Sequence, residues 1–400
     1  MLIRTTSSVQ KAQPLVQTSS GRSGVYVLHR DGYREFHPKP LPPDPPLEMS
    51  GRLSRLLSDA DRELGRLDGN AEILPDPDIF IYSYIRKEAV LSSQIEGTHS
   101  TLVDLLHFEA GVQEKNRPRD VREVANYVAA TDYALGQIRA GQPLTLALLQ
   151  QVHQRLLRGR VSAEHHPGEL RTEQNWIGPV PEPRLAEFVP PPPALVPRAL
   201  ADLENYWRNS ADPPLIRAGL AHAQFETIHP FLDGNGRLGR LLVTLILITS
   251  GTMRRPLLYL SHYLLKNRNE YVRRLQNVRD TGDWEGWIEF FLEGIRSVSG
   301  QSAETARAIL RLREQHRGIL QRELGQRGTS AAVLLDGMFR SPFISVKDAE
   351  RCTGLSQPAA NKLVAEMVKK GLLVEMTGKQ RNRVFEYQSY IELLSREPKS

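Results

Sequence analysis

Apolar residues recur at every third or fourth position along most of the chain, which is the spacing of amphipathic helices. A charged stretch over 303–324 follows the same spacing and predicts a separate connector helix. The pattern therefore indicates a mainly α-helical fold with an all-α core. The other predicted helices cover 52–67, 79–96, 121–138, 144–157, 196–207, 214–228, 236–249, 264–278 and 284–298.

The N-terminal stretch, residues 1–48, departs from this helical pattern. It becomes rich in proline, and six prolines between positions 38 and 46 exclude regular helix. The segment around Asp31–Gly32 is compatible with a short β-hairpin. We favour an extended arm that lies on the following domain.

A second interruption, residues 167–192, is rich in glycine and proline. Loops of this length in compact domains are often functional. Two short extended pieces, 176–177 and 188–189, predict a small β-hairpin flap within it.

The last seventy residues change character. Helices are predicted over 331–339, 345–354 and 357–373, the last of them capped by Ser356. Alternating residues on both sides of Thr377–Gly378 predict two strands. A helix, a helix-turn-helix and a two-stranded wing follow one another in a winged helix.

The predicted wing carries Lys379, Arg381 and Arg383, which suit a phosphate backbone. Glutamates in the same region dilute this charge. Winged helices also dock on proteins, so DNA and protein both remain open as partners of this region.

Composition narrows the picture only a little. The net charge of +6 results from 52 basic and 46 acidic residues, which allows a nucleotide or nucleic acid as partner without requiring one. One cysteine, Cys352, excludes an internal disulfide framework, and we expect it to be a small core residue. The N-terminus lacks a signal-peptide core and the apolar run from Leu241 is too short to span a bilayer, so we expect a cytoplasmic protein without membrane contact.

The densest group of polar residues is HPFLDGNGRLGR at 229–240, directly before an apolar helix. Its glycines allow close backbone approach, and the N–H groups at the start of the helix favour an anion. Arg237 and Arg240 are three residues apart, so both guanidinium groups reach one side of the helix. Asp233 suits a magnesium ion that bridges phosphates, and His229 suits a general base beside them.

A second candidate feature is the end of the helix over 79–96. Ser92 and Glu96 fall in line with its apolar face, just before Gly97 ends it. A glutamate on an apolar stripe is costly to bury unless a cation meets it. The pattern alone favours a solvated surface turn for Glu96.

The stretch HPFLDGNGRLGR resembles the signature of Fic-domain proteins, H-P-F-x-D-G-N-G-R-x-x-R, at every signature position. SSQIEGT at 92–98 is similar to the inhibitory helix of that family, here N-terminal to the Fic core. The stretches at 168–192 and 259–292 resemble the family's target-docking flap and its closing helices. The resemblance covers residues 1–300, and a C-terminal winged helix is a common companion.

The resemblance implies protein adenylylation, the transfer of AMP from ATP to a Ser, Thr or Tyr hydroxyl of a target protein or of the chain itself. His229 is then the catalytic base, Asp233 the Mg²⁺ ligand, and Glu96 the inhibitory partner of Arg240, with Ser92 and Gly97 in the same inhibitory helix. A weak carry-over places Tyr271 near the adenine. The implied nucleotide contacts are Asp233, Gly234, Asn235, Gly236, Arg237, Leu238, Gly239, Arg240 and Tyr271.

The same resemblance suggests four regions. They are an arm and N-terminal region with the inhibitory helix (1–110), a Fic core (111–300), a connector helix (301–328) and a winged helix (329–400). A homodimer is compatible with the sequence. The target protein and the signal that relieves inhibition are not encoded in any motif.

Other activities occur on this family's fold. Kinase-like members carry lysine where this chain has Gly236, and phosphocholine-transferring members depart from the pattern at the second arginine. Both positions here favour AMP transfer. Removal of AMP from a modified protein stays open, as does a nucleotide-sensing regulator that binds DNA through the winged helix.

Overall fold

The computed structural model describes residues 16–72, 78–112, 118–159, 166–379 and 381–395. Helices dominate these residues, and two small antiparallel sheets stand at either end of the described chain. The prediction of a mainly α-helical fold is therefore confirmed. Residues 1–15 of the predicted arm lie outside the described residues.

The N-terminal segment forms a three-stranded antiparallel sheet of β1 (Val16–Ser20), β2 (Gly24–Leu28) and β3 (Arg34–Pro38). The favoured extended arm was therefore wrong, and the hairpin around Asp31–Gly32 is present. The register pairs Tyr26 with Phe36 and Val27 with Glu35, so the buried Val27 and Phe36 lie on opposite faces and both faces of the sheet are partly covered. The Phe36 N–H donates to the Val189 carbonyl at 3.0 Å, which joins this sheet to the flap segment.

The first helical group contains α1 (Gly51–Glu72), α2 (Asp78–Ile95), α3 (Leu102–Glu109), α4 (Val121–Arg139) and α5 (Leu146–Leu156). Helix α3 begins at Thr101 with a capping box to Asp104, which satisfies two N–H groups at its start. Helix α2 packs against α3 and α4, so the residue after its end, Glu96, is brought over the middle of the molecule.

The second group contains α6 (Val196–Asn209), α7 (Pro214–Ile228), α8 (Asn235–Thr249), α9 (Ser261–Lys266) and α10 (Arg268–Thr281). Helices α7 and α8 pack against each other and are buried along most of their length. The predicted flap appears as one antiparallel bridge, Ile177 with Phe188. No helix in the described part of the chain combines the length and the apolarity that a membrane span needs.

One helix, α11 (Trp284–Leu324), runs for 41 residues. The prediction of two separate helices, 284–298 and 303–324, was wrong. Small buried residues continue the packed face across the expected break, and no proline interrupts it. Helix α11 packs on α1 and α7 and then on the C-terminal elements. The small residues are Ser299, Ser302, Ala303 and Ala306.

The C-terminal elements are α12 (Gly328–Arg340), β4 (Phe343–Ser345), α13 (Val346–Thr353), α14 (Gln357–Lys369), β5 (Val374–Glu375), β6 (Val384–Glu386) and α15 (Gln388–Ser395). Their antiparallel sheet has the strand order β4-β6-β5. Ser356 precedes α14 but makes no side-chain cap hydrogen bond. The region docks on α2 and α3, where His107 Nε2 lies 3.3 Å from Glu386 Oε2.

Cys352 contradicts the expectation of a core residue, because its side chain is exposed. Ala349 takes the buried position of the short helix α13, and Cys352 lies one turn later at the rim. Its Sγ lies 3.7 Å from the Val333 carbonyl oxygen.

Candidate active site

The loop between α7 and α8 starts at His229, whose backbone is left-handed (φ 48°, ψ 62°). A residue other than glycine rarely adopts this conformation, which ends α7 and turns the chain sharply. The His229 N–H still donates to the Phe225 carbonyl at 2.9 Å. The conformation needs support from the surroundings, and the neighbouring segment provides it.

That support is Arg171, a buried arginine in the segment before the flap. Its Nε donates to the His229 carbonyl at 2.9 Å, and its Nη2 donates to the Pro191 carbonyl at 2.5 Å. Asn175 Nδ2 donates to the carbonyls of His229 and Phe231, at 3.3 and 3.0 Å. Sequence reasoning missed both residues, because the carbonyl that both bind, that of His229, lies more than fifty positions away in the chain.

A second support, also missed, is His153 on α5. Its Nδ1 accepts from the Gly168 N–H at 2.9 Å, so its Nε2 carries the proton that is donated to the Asp233 carbonyl at 2.8 Å. Its ring stacks on Phe231 with centroids 3.8 Å apart. Burial lowers the pKa of His153 to about 3, and Arg237 lowers it further, so the ring is neutral.

Asn235 turns its side chain back into the loop. Its Oδ1 accepts from the Phe231 N–H at 2.9 Å, and its Nδ2 donates to the Phe231 carbonyl at 2.7 Å. The Leu238 N–H donates to the Gly234 carbonyl within the helix, and the Leu238 side chain is buried. Both predicted nucleotide contacts are therefore committed to the loop itself in this structure, and the N–H groups of the preceding turn remain the natural anion donors.

Asp233 and Arg237 lie at the outer side of the loop. The Asp233 Oδ1 accepts from the Gly234 N–H at 2.7 Å and lies 3.7 Å from Arg237 Nη2. Arg237 Nη1 donates to Glu123 on α4 at 3.3 Å. The Asp233 side chain is about one fifth exposed (22%), so a carboxylate edge can receive a hard cation.

Arg240 meets the end of α2, as the resemblance implied. Its Nε donates to Ser92 Oγ at 2.8 Å, and its Nη2 donates to the Ser92 carbonyl and to Glu96 Oε1, both at 2.9 Å. The surface-turn interpretation of Glu96 is therefore wrong. Burial raises the pKa of the Glu96 carboxyl, but Arg240 outweighs it and the pKa is lowered, so the pair is ionised. Gly97 follows with φ 97°, which suits glycine.

Gly236 makes room for this pair. A Cβ at that position would lie 2.1 Å from Glu96 Oε1 and 2.9 Å from Arg240 Nη1. The glycine therefore allows the carboxylate to stand where the first turn of α8 is most accessible. A ligand phosphate approaching the same turn would meet Glu96.

Tyr271 is buried on α10, and its hydroxyl lies 2.8 Å from His222 Nε2 on α7. Burial raises its pKa well above the usual value, so the hydroxyl is protonated. Arg240 and Glu226 are the charged side chains that influence it most. The structure thus places Tyr271 behind Arg240, in a buried polar cluster.

The His229 side chain is neutral in this arrangement. Burial, and after it the charges of Arg171 and Arg279, lower its pKa to about 3. A neutral imidazole accepts a proton, whereas an imidazolium does not. The loop thus combines a proton acceptor with an anion site at the start of α8.

Two family models match this chain. The model described as Fic/DOC family N-terminal matches residues 54–136, and the model described as Fic/DOC family matches residues 143–247. A crystal structure of a Fic family protein from Desulfovibrio desulfuricans G20 superposes with a TM-score of 0.57 at 21% identity, over 86% of this chain and 97% of that one. This likeness concerns the fold.

Curated relatives match over shorter stretches. A probable protein adenylyltransferase of Aquifex aeolicus is 35% identical over 96 residues, which is 24% of this chain and 28% of that protein. Protein adenylyltransferase fic-1 of Caenorhabditis briggsae is 33% identical over 144 residues, which is 35% of this chain and 25% of that protein. The chain thus spans only about a quarter of the length of these relatives.

Proposed function

The chain belongs to the Fic/DOC family, and we propose that it is a protein adenylyltransferase that moves AMP from ATP to a Ser, Thr or Tyr hydroxyl of a protein. One observation carries the proposal. A neutral, buried His229 stands directly before the anion-binding first turn of α8, with Asp233 and two arginines around it. The names of the curated relatives support the same activity.

In the proposed reaction His229 takes the proton of the target hydroxyl. The hydroxyl oxygen attacks the α-phosphorus in line, a new P–O bond forms, and the bond to pyrophosphate breaks. The supports from Arg171 and His153 keep the base and the phosphate-binding turn in fixed relation. Such positioning is a large part of catalysis for phosphoryl transfer.

Asp233 is the proposed holder of Mg²⁺. Mg²⁺ is held by one or two carboxylates together with substrate phosphates, so a cluster of protein ligands is not needed. The ion would neutralise charge on the α- and β-phosphates.

Arg237 and Arg240 are the proposed partners of the β- and γ-phosphates. Arg240 is held by Ser92 and Glu96 instead, so we propose that the chain is autoinhibited by Glu96. The carboxylate occupies both the space beside Gly236 and the charge of Arg240. Basal transfer is then low until the end of α2 moves.

The test is transfer of label from α-labelled ATP with Mg²⁺ to the protein itself. We expect Glu96→Gly to raise autoadenylylation at least tenfold over wild type, because the lost charge-assisted pair is worth about 1.5–3 kcal/mol. Adding His229→Ala to that variant should abolish the signal. An added mass of one AMP identifies the modified residue.

The matched control is Glu96→Gln, which keeps the shape of the side chain and loses its charge. It should lie between wild type and Glu96→Gly. If Glu96→Gly is no more active than wild type at any ATP or metal concentration tested, the proposal that Glu96 inhibits the chain is wrong. If the protein is still labelled after His229→Ala, the proposal that His229 is the catalytic base is wrong. Incubating pre-modified protein with the Glu96-intact chain tests the reverse reaction, removal of AMP.

A second candidate function concerns the C-terminal region, which we propose to be a winged helix that can bind DNA. A groove of about 1390 Å³ is lined by the start of α14 and the stretch before β6. Its charged lining residues are three basic and three acidic ones, Lys347, Arg381, Arg383, Glu109, Asp348 and Glu350. In it Arg383 Nη2 donates to Asn361 Oδ1 at 2.9 Å. ATP-sensitive retention of DNA without label fixed on protein would favour this function over AMP transfer.

A further inference from the structure

Two carboxylates, not one, lie against the first turns of α8. A Cβ at Gly236 would lie 2.1 Å from Glu96 Oε1, and a Cβ at Gly239 would lie 2.5 Å from Glu226 Oε1. The residue after Gly239 is Arg240. Arg240 Nη1 lies 2.9 Å from the Cβ position at Gly236, and Gly236 and Gly239 are neighbours on one side of α8. Glu96 pairs with Arg240 directly at 2.9 Å, whereas among the described residues no ion pair joins Glu226 to Arg240, so Glu226 acts on that guanidinium through space.

The two carboxylates differ in how they are anchored. Glu96 follows the last residue of α2, and about a quarter (26%) of its side chain is exposed. Glu226 lies inside α7, three residues before His229, and is buried. Glu96 can therefore leave Arg240 by a movement at a helix end, whereas Glu226 stays where it is.

Glu226 has few means of stabilising a permanent charge. Its Oε1 is buried without a hydrogen-bond partner among the described residues. Burial raises the pKa of its carboxyl, the charge of Arg240 opposes this rise and the charge of Glu96 adds to it, and the net pKa is about 7. The titratable and charged groups facing it are Arg240 on α8, Glu96 after α2, Arg279 and Tyr271 on α10, and His222 on α7.

Among these groups the carboxyl of Glu226 is suited to change charge near pH 7. Burial lowers the pKa of His222 to about 4, and the Tyr271 pKa lies well above its usual value, so both stay neutral. Arg240 and Arg279 stay cationic, because a guanidinium does not lose its proton at neutral pH. Arg279 donates to the Glu226 backbone carbonyl at 3.3 Å and to Thr227 Oγ1 at 3.2 Å.

We propose that Glu226 is a positioning residue that binds and releases one proton as the counter-charge of Arg240 changes. With Glu96 in place, Arg240 is neutralised and Glu226 holds its proton. When Glu96 has moved away and no phosphate is bound, Glu226 releases its proton to solvent. Its carboxylate is then the counter-charge that keeps Arg240 in position. When phosphate reaches Arg240, Glu226 takes a proton back from solvent. This inference rests on the proposed function only in placing a nucleotide phosphate beside Arg240.

The test is calorimetric titration of ATP with Mg²⁺ at pH 7 in buffers of different ionisation enthalpy. The comparison is between Glu96→Gly/His229→Ala and the same protein with Glu226→Gln added. The His229→Ala change stops transfer and removes His229 as a proton acceptor. We expect Glu226 to contribute a fraction of one proton to the uptake per ATP bound by the first protein. The protein with Glu226→Gln should lack this contribution, so its uptake per ATP should be lower by the same amount.

The matched control is Glu88→Gln in the same background. Glu88 is a second buried carboxyl whose pKa is raised to about 7 by burial, against the opposing charge of Arg240. Unlike Glu226 Oε1, its oxygens accept hydrogen bonds, from Ser261 N and Oγ at 3.1 and 2.5 Å. We expect proton uptake to persist in this variant. Equal uptake with and without Glu226→Gln would overturn the inference, as would uptake lost only with Glu88→Gln.

If Glu226→Gln does not fold, the pH dependence of ATP affinity in Glu96→Gly/His229→Ala decides. Proton uptake requires the affinity to fall as pH rises from 6 to 8, and a flat or rising profile overturns the inference.

Failure of the proposed function would be distinguishable from failure of this inference. Proton uptake that depends on Glu226 can be present even where Glu96→Gly transfers no AMP, and transfer can occur without such uptake.

Discussion

The two ends of the loop over 229–240 are held in opposite ways. The His229 carbonyl accepts buried hydrogen bonds from Arg171 and Asn175, and His153 holds the Asp233 carbonyl further along the loop. Arg240 is held by side chains at the partly exposed end of α2. Backbone contacts buried in the core have no alternative partner, whereas a phosphate can replace a carboxylate on a guanidinium. The catalytic end is thus permanent and the phosphate end exchangeable.

Arg171→Ala breaks the permanent end and has the largest expected effect. Three carbonyls lose a buried donor, so the free energy of unfolding should fall by about 3 kcal/mol. Transfer by Glu96→Gly/Arg171→Ala should fall about 100-fold against Glu96→Gly, because misplacing the base costs that much. Denaturant unfolding measures the change in the free energy of unfolding, and transfer of label from α-labelled ATP measures the change in activity.

The control for that change is Arg52→Ala. Arg52 is an exposed arginine whose pair with Glu289, at 3.4 Å, should contribute less than about 1 kcal/mol. Transfer by the Arg171→Ala double variant within threefold of Glu96→Gly would show that the left-handed His229 needs no external support.

Ser92→Ala weakens the exchangeable end by one contact. Arg240 Nε loses its acceptor while Glu96 and the Ser92 carbonyl remain, so basal autoadenylylation should rise only about fivefold, equivalent to about 1 kcal/mol. The control is Ser93→Ala, because Ser93 Oγ is buried without a hydrogen-bond partner in the described part of the chain. If the activity of Ser92→Ala equals that of wild type, the Ser92 hydroxyl does not contribute to inhibition and Glu96 alone restrains Arg240.

The smallest expected effect is that of pH on the inhibited wild type. The pKa of Glu96 is lowered in the fold, so its pair with Arg240 is present above the unfolded pKa and is lost only as pH falls through the lower folded value. Basal transfer should therefore stay low from pH 8 to pH 5.5. Release of activity on acidification within this range would contradict the ionised pair.

The local pattern identified the loop over 229–240 as a candidate site, because its polar residues lie within twelve positions. It did not predict the pair of Glu96 with Arg240, for which the pattern alone favoured a surface turn and only the family resemblance pointed to the contact. Arg171 and His153 could not be found in this way. Their partners are backbone carbonyls 58 and 80 positions away, and backbone groups leave no trace in residue types. Glu226 was hidden for a related reason, since its role depends on which charges surround it.

The prediction of the helices was wrong where small side chains occupy the buried positions of a helix. The stretch over 299–306 lacks the bulky apolar positions that mark a helix face, yet α11 continues through it because serine and alanine allow close packing. The N-terminal sheet was missed because the prolines of this segment favoured an extended arm, yet Pro38 ends β3 and the other prolines of the run follow the strands.

The unbroken α11 has a geometric consequence. At a rise of 1.5 Å per residue its 41 residues form a rod about 60 Å long. One end packs beside α7, which leads into His229, and the other carries the C-terminal elements. A molecule bound at the far end would therefore be held at a fixed distance from His229, the proposed base. Reach alone would then restrict which hydroxyl groups of that molecule can approach His229.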